Sequence, residues 1–474
     1  MSTELPPQDL YRNVAEFANP RRVDLEQAYT DGLIPTQFPP EEFPDVVHAA
    51  CLPEGQIDPN FVNTQMPDGH RPSYNGHFSP YQNEINDRLM STGVFNACRN
   101  GSDRYGIHIQ DPGAEILHDE ALEALRVNNL RIIAPFAKEP DTIAPCLEYL
   151  AGRVGDANVV AIDSGLDVIS SERARSTGMR VLNQWDILSC ISLDALKDLR
   201  YVPDTISQIK TTKGGTMYAG MIVQAALGNL DSGLIGFHDT DITNAGPREG
   251  RGSKDQYLAL DHLGIGLAHP IGSEMLSLQI GRTGPGRNNF SWHGEVQNHL
   301  QEDTPPDVRT LAHYLTGIIW PLTGERIIKG SALAKIPIPM DMKIETMLNV
   351  AVAGMELRKG TRAAWQVANL NSKDESGDAG VEREWGMIYG CEQGLNRYLR
   401  FVKETGHMPH EWDADVIGYY NLLYGHRSGR TATDPDVHNH ARKMAKVNEG
   451  LLMPSINQLT LSGAVDLEKV KNLL

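Results

Sequence analysis

Asp239 and Asp241 are two carboxylates set one residue apart, and their spacing is what metal chemistry needs. They follow Leu234, Ile235 and Phe237, an apolar run that reads as a short buried strand. In an extended chain, residues i and i+2 face the same side. The pair can therefore hold one hard divalent cation, Mg2+ or Mn2+, which takes oxygen ligands and shares itself with substrate phosphates. The plainer reading is a solvated strand-to-loop turn, where Asp and Asn are common. Lys213, followed by Gly214 and Gly215 at a predicted helix start, adds a second ingredient. Glycines let backbone approach a ligand closely, and an ammonium at a helix N-terminus suits a phosphate. The spacing is not that of a P-loop.

The elements that must position these groups are regular from residue 130 onward. Residues 131–136 predict a strand, 137–140 a short loop, and Asp141 the cap of a helix carrying Ile143, Leu147 and Leu150. Residues 158–163 predict the next strand, so the segment is a right-handed βαβ unit. Ligands of such open sheets bind at the carboxyl ends of the strands. The 137–140 loop, Asp163 and the Asp239–Asp241 pair all lie at such ends. Asp163 suits either a nucleoside contact or a turn cap. Lys213 opens a helix through Tyr218, Met221, Ile222 and Ala225, and residues 263–270 read as a further strand. Residues 281–289 form a Gly-rich loop whose Arg282 and Arg287 suit an acceptor carboxylate or phosphate, or else simple solvation.

Before residue 128 the chain is rich in Pro, Asn and Asp and reads as an irregular extension. Helical spacing is expected only near residues 24–29 and 83–90 and in a lead-in helix over 115–126. After residue 368 a polar linker (371–380) precedes helices over 382–403, 437–447 and 465–474. This helical tail is a domain cap or a contact of a homo-oligomer. The expected domains are thus an extension (1–128), a catalytic domain (129–368, with a nucleotide half to 247 and an acceptor half from 248) and a helical C-terminal region (369–474).

Composition sets the outer limits. The 474-residue chain is 40% hydrophobic with a net charge of −18. An acidic chain is a poor nucleic-acid binder, because phosphate backbones need a basic face. No apolar run reaches membrane-span length. No secretory signal opens the sequence. Five scattered cysteines suit reduced thiols. A cytoplasmic location is the expectation.

Residues 130–247, and less closely those to 346, resemble the mannosylglycerate synthases. The carrying motifs are RIIAPFAKE over 131–139, KGGTM over 213–217 and DTDITNAGP over 239–247. Downstream, WPLTGE over 320–325 is similar to a family stretch with an aromatic residue and a Gly-Glu turn. The resemblance implies an α/β fold of GT-A type: Rossmann-like and nucleotide-binding, with a mixed, mostly parallel sheet and here a helical C-terminal region. It implies a retaining glycosyltransferase that moves a sugar from a nucleotide-diphosphate donor to a small polar acceptor. Donor contacts would fall to Pro135, Phe136, Glu139, Asp163, Lys213, Gly214, Asp239 and Thr240. Metal contacts would fall to Asp239 and Asp241, with Mg2+ or Mn2+ as cofactor. Acceptor contacts would fall to Trp320, Leu322, Thr323, Gly324 and Glu325.

Glu345, with Asp341 as runner-up, matches the family's acid near the anomeric carbon, Asp341 capping the helix that carries both. Physically, either is equally an ordinary acid favoured by a helix dipole. The family's late metal-binding histidine has no counterpart in residues 358–362, which leaves His262, His269, His407, His426 or water for that role. Two alternatives stay open: a nucleotidyltransferase that makes nucleotide-sugars, and a non-catalytic nucleotide- or carbohydrate-binding relative.

Overall fold

A computed structural model of the chain describes residues 47–49, 95–100, 104–110, 118–192, 194–195, 211–241, 259–268, 276–282, 296, 304–316, 323–359, 365–369, 381–424 and 451–474. Its strands are β1 (Val47–Ala49), β2 (Phe95–Asn100), β3 (Arg104–Gln110), β4 (Arg131–Phe136), β5 (Val159–Asp163), β6 (Arg180–Asn183), β7 (Leu234–Phe237), β8 (Ser277–Arg282), β9 (Arg326–Lys329), β10 (Ile338–Pro339), β11 (Trp365–Asn369) and β12 (Leu452–Met453). Its α-helices are α1 (His118–Val127), α2 (Ile143–Val154), α3 (Val168–Ser176), α4 (Gln184–Leu188), α5 (Lys213–Ala226), α6 (Ala259–Ala268), α7 (Pro306–Thr316), α8 (Gly330–Leu333), α9 (Ile344–Lys359), α10 (Val381–Thr405), α11 (Ala414–Tyr424), α12 (Ile456–Leu461) and α13 (Leu467–Lys471). The chain divides into two compact units. One holds residues 1–124, 251–323 and 356–371; the other holds 125–250, 324–355 and 372–474.

In the second unit the strands run in the order β9-β7-β4-β5-β6. β7, β4, β5 and β6 are parallel, and β9 lies antiparallel on β7. The mixed, mostly parallel sheet and the helical C-terminal region agree with the α/β expectation. Apart from Arg131 and Asp163 at their ends, β4 and β5 are apolar, and they are almost wholly buried, as strands covered on both faces must be. The chain steps outward from β4 to β5 to β6, then returns to lay β7 on the other side of β4. That reversal opens a crevice at the carboxyl ends of β4 and β7, where open α/β sheets take their ligands.

Helix α5 is buried along most of its length, because it packs on β4 and β5 and carries the C-terminal helices α12 and α13 as well. A Cβ at Gly220 would run into Ile133, so this glycine sets how closely α5 lies on the sheet. Met340 binds the backbone of both Thr212 and Leu451, and β10 pairs with β12. The start of α5, the approach to α9 and the chain's last segment are thereby fixed together. Trp412, Tyr398, Phe401 and Tyr420 of α10, α11 and the turn between them form a buried aromatic cluster.

In the first unit β1, β2 and β3 are antiparallel, and β11 is parallel to both β3 and β8. The amide of Leu276 donates to the buried carboxylate of Glu356.

Several local expectations change. Residues 95–100 and 104–110 are strands rather than irregular chain. Tyr105, Ile107 and Ile109 alternate with Gly106 and His108, a strand period that is easily missed in so short a run. Residues 263–270 were expected as a strand, yet Ala259–Ala268 is a helix with Leu260, Leu263 and Leu267 buried at helical spacing. A short apolar run does not by itself tell helix from strand. Asp141 does not cap α2. Thr142 stands at that position without a side-chain bond, and Asp141 pairs with Arg173 instead. Arg282 belongs to β8 rather than to a loop. Asp341 lies in the turn before α9, which begins at Ile344. Arg287, the local helices of the first 90 residues and the 437–447 helix lie outside the described residues.

Candidate active site at the ends of β4 and β7

β7 ends at Phe237, and the next residues are tied back to β4. The His238 amide donates to the Ile133 carbonyl, and Thr240 Oγ1 donates to the Pro135 carbonyl at 3.0 Å. Thr240 is buried by that bond, while Asp239 and Asp241 on either side are only partly covered. His238 Nδ1 lies 2.7 Å from the Asp239 carbonyl. A carbonyl only accepts, so Nδ1 carries the hydrogen. The Cys146 thiol donates to the same carbonyl at 3.5 Å. Burial pushes the Cys146 thiol well above its ordinary range, and the charges of Asp241, Asp239 and Glu139 push the same way. Cys146 is therefore a neutral donor beneath the acidic loop.

Lys213 is brought to this loop by the start of α5. A Cβ at Gly214 would collide with the backbone of Pro339 and Asp341, so only glycine lets α5 begin this close to the segment leading into α9. Lys213 Nζ lies 2.6 Å from Asp239 Oδ1 and 2.7 Å from Glu345 Oε1. Burial, the largest single influence on Lys213, lowers its pKa. The two carboxylates outweigh it, so the ammonium is held above its ordinary value. Three elements thus meet at one charge: α5, the β7 loop and the first turn of α9.

Arg326 lies at the start of β9, opposite Phe237 in the sheet, and is buried. Its Nη1 donates to Asn349 Oδ1 at 3.0 Å. Asn349 is four residues after Glu345, one turn along the same helix face. Burial lowers the Arg326 pKa, while the fields of Glu345 and Asp239 raise it. Arg326 and Asn349 were not among the residues singled out from the sequence. The strand that Arg326 opens reads Arg-Ile-Ile-Lys, charged at both ends, so no local signal set Arg326 apart.

The other expected site residues are placed as follows. Pro135 and Phe136 are buried at the end of β4. Glu139 Oε2 accepts the Ala137 amide at 2.5 Å, which curls the loop after that strand. Both oxygens of Asp163 are engaged locally, by the Gly165 amide and by Ser171 Oγ at the start of α3. Asp341 is buried, with Oδ1 accepting the Lys343 amide and Oδ2 paired to Lys343 Nζ at 2.5 Å. Gly324 faces Asp239, and a Cβ there would fall on the carboxylate. Glu325 and Thr323 are buried. Trp320 and Leu322, with His269 and His426, lie outside the described residues, as does the His262 side chain. His407 is exposed.

Asp239 and Asp241 supply the carboxylate oxygens that a hard cation takes. Asp239 lies in a hollow that only a glycine leaves open, and its partner Asp241 follows two residues later. Among the described residues no group of three or more His, Cys, Asp or Glu could hold a metal ion. A cation at the pair would complete its shell with phosphate oxygens and water, as Mg2+ does in phosphate sites. No helix among the described residues is long and apolar enough to cross a membrane.

No protein-family model matches the chain, and no curated protein matches it. Among solved structures it is similar to glucosyl-3-phosphoglycerate synthase from Mycobacterium tuberculosis. The complex with phosphoglyceric acid aligns at 18% identity and a TM-score of 0.39, covering 58% of this chain and 82% of that one. The complex with Mn2+, uridine diphosphate and phosphoglyceric acid aligns at 17% and 0.40, covering 58% and 81%. The complex with Mn2+, UDP-glucose and phosphoglyceric acid aligns at 18% and 0.38, covering 58% and 82%.

Proposed function

We propose that this protein is a divalent-cation-dependent glycosyltransferase that moves a sugar from a nucleoside-diphosphate donor to a small hydroxylated acceptor, with retention. The observation that carries the reading is the meeting of Lys213, Asp239 and Glu345 at the carboxyl ends of β4 and β7. A bound Mg2+ or Mn2+ would neutralise charge on the departing diphosphate. Asp239 and Asp241 would hold it, and Lys213 would meet a phosphate oxygen. Pro135, Phe136, Glu139 and Asp163 would border the nucleoside, with Gly214 and Thr240 shaping the phosphate end. Gly324 and Glu325, with Trp320, Leu322 and Thr323, are the proposed acceptor residues.

In the reaction the bond from the anomeric carbon to the phosphate oxygen breaks and one to the acceptor oxygen forms. The acceptor hydroxyl gives its proton to the departing diphosphate oxygen. Glu345 is favoured over Asp341 as the acid beside the sugar, because the Asp341 carboxylate is already closed by Lys343. The nucleotidyltransferase alternative needs a Gly-rich basic loop after β4. Residues 137–140 read Ala-Lys-Glu-Pro and do not supply one.

The test is a thermal-shift screen with UDP, GDP, ADP and TDP, each with and without Mn2+. A ligand that binds only the folded state raises the melting temperature by mass action. A metal-dependent shift with one diphosphate, lost in Asp241→Ala, supports the reading and names the donor class. No shift with any of them overturns it.

A further inference from the structure

We propose that Lys213 is a place-holder cation, which keeps a divalent metal from settling on Asp239 until a diphosphate arrives to take the ammonium over. This rests on the function proposed above and adds the order in which the site fills. Lys213 is not a surface lysine near an acid. Its Nζ is shared between Asp239 and Glu345 at nearly equal distances, and its side chain is only 14% exposed. Asp239 is itself 21% exposed and Glu345 9%. Charges this far from bulk water feel each other more strongly than charges on the surface.

A divalent cation on Asp239 would face an ammonium 2.6 Å from the same carboxylate. Lys213 has little freedom to withdraw. The close fit of Gly214 against Pro339 and Asp341 fixes the start of its helix, and Glu345 holds the ammonium from the far side. Arg326, buried and within the electrostatic reach of both Asp239 and Glu345, adds to the positive field. The metal alone is therefore opposed.

A diphosphate changes both sides of that balance. Its oxygens give Lys213 another anion to bond, and they give the metal ligands that the protein does not provide among its described residues. Metal and diphosphate then bind with positive coupling. Such coupling is reciprocal, so each raises the affinity of the other by the same factor, commonly somewhere from about 5-fold to about 150-fold.

The experiment is a titration of the full chain with MnCl2, read by the electron paramagnetic resonance signal of free Mn2+. It is run alone and with UDP, GDP or ADP, on the native protein and on Lys213→Met, Lys213→Gln and Lys213→Arg. Circular dichroism melting shows which neutral variants are folded, and Met and Gln serve interchangeably. The native protein should bind Mn2+ weakly alone and about tenfold more tightly with the matching diphosphate. A folded neutral variant should bind Mn2+ alone about tenfold more tightly than the native protein, and diphosphate should add little. Lys213→Arg should keep the native pattern.

A folded neutral variant that binds Mn2+ alone no better than the native protein overturns the inference. So does a diphosphate effect of equal size in the native and neutral proteins, an outcome that leaves the glycosyltransferase reading standing. If removing the charge tightens Mn2+ but no diphosphate acts on any variant, the exclusion of metal by Lys213 stands, while its release by a diphosphate and the donor reading both fall.

Discussion

The second unit holds two lysine–carboxylate arrangements, and they are built for different ends. Asp341 and Lys343 are two residues apart, and the carboxylate takes both the amide and the ammonium of the same lysine. Lys343 is packed as well, since a Cβ at Gly394 would meet its methylenes. The pair is closed: it orders one turn ahead of α9 and has nothing left to offer. Lys213 joins residues 26 and 132 positions away, from separate elements, and all three side chains keep some exposure. That arrangement is open, with partners a ligand can replace. A local ion pair made within one turn is architecture; one assembled over long range, with Asp239 the most exposed of its members, can exchange its partners.

The comparison breaks if the two arrangements respond alike to mutation. Asp239→Asn should cost the most in function, about a thousandfold in transferase kcat, the scale of losing one strong charge-stabilising group. Its melting temperature should stay near native. Lys343→Met should do the reverse. It removes the ammonium that neutralises a buried carboxylate, which typically destabilises by about 3–5 kcal/mol in denaturant unfolding. At temperatures where the protein remains folded, diphosphate affinity should change little. A smaller effect is expected of Gly324→Ala. The new methyl falls on the Asp239 carboxylate and displaces it, so Mn2+ and diphosphate binding should weaken about tenfold, measured by calorimetry. If Lys343→Met abolished ligand binding while leaving stability intact, the division into closed and open pairs would be wrong.

Much of the open arrangement was visible in the sequence as types and order. Lys213 before two glycines and the Asp239–Asp241 spacing each stood out, while Glu345 was singled out only by the resemblance. Local pattern also predicted β4, α2, β5, α5 and β7, because apolar period and Gly-rich breaks are short-range signals. What stayed hidden depends on long-range packing. Arg326 opens a four-residue strand, and nothing nearby marks it as buried. It is enclosed only because β9 pairs with β7 while Asn349, on α9, meets its guanidinium. Cys146 and His238 gain their places only when α2 is laid beside the β7 end. The strands over 95–110 pair with each other, and β3 with the distant β11. No composition rule reaches across that separation.

Thr240 gives the smallest and sharpest test, because it separates having the open pair from holding it still. Its hydroxyl donates to the Pro135 carbonyl, so the residue between the two aspartates is pinned to β4. Thr240→Val keeps the shape and removes the donor, leaving a carbonyl without that hydrogen bond. Such a loss usually costs about 1–2 kcal/mol. Two readouts divide the cost. If the bond only stabilises the fold, unfolding in urea shifts and Mn2+-diphosphate affinity does not. If it holds Asp239 and Asp241 in register with Lys213, affinity falls severalfold, and Thr240→Ser, which keeps the hydroxyl, restores it. We expect the second result, because the bond sits at the loop whose other end carries the ion pair to Lys213.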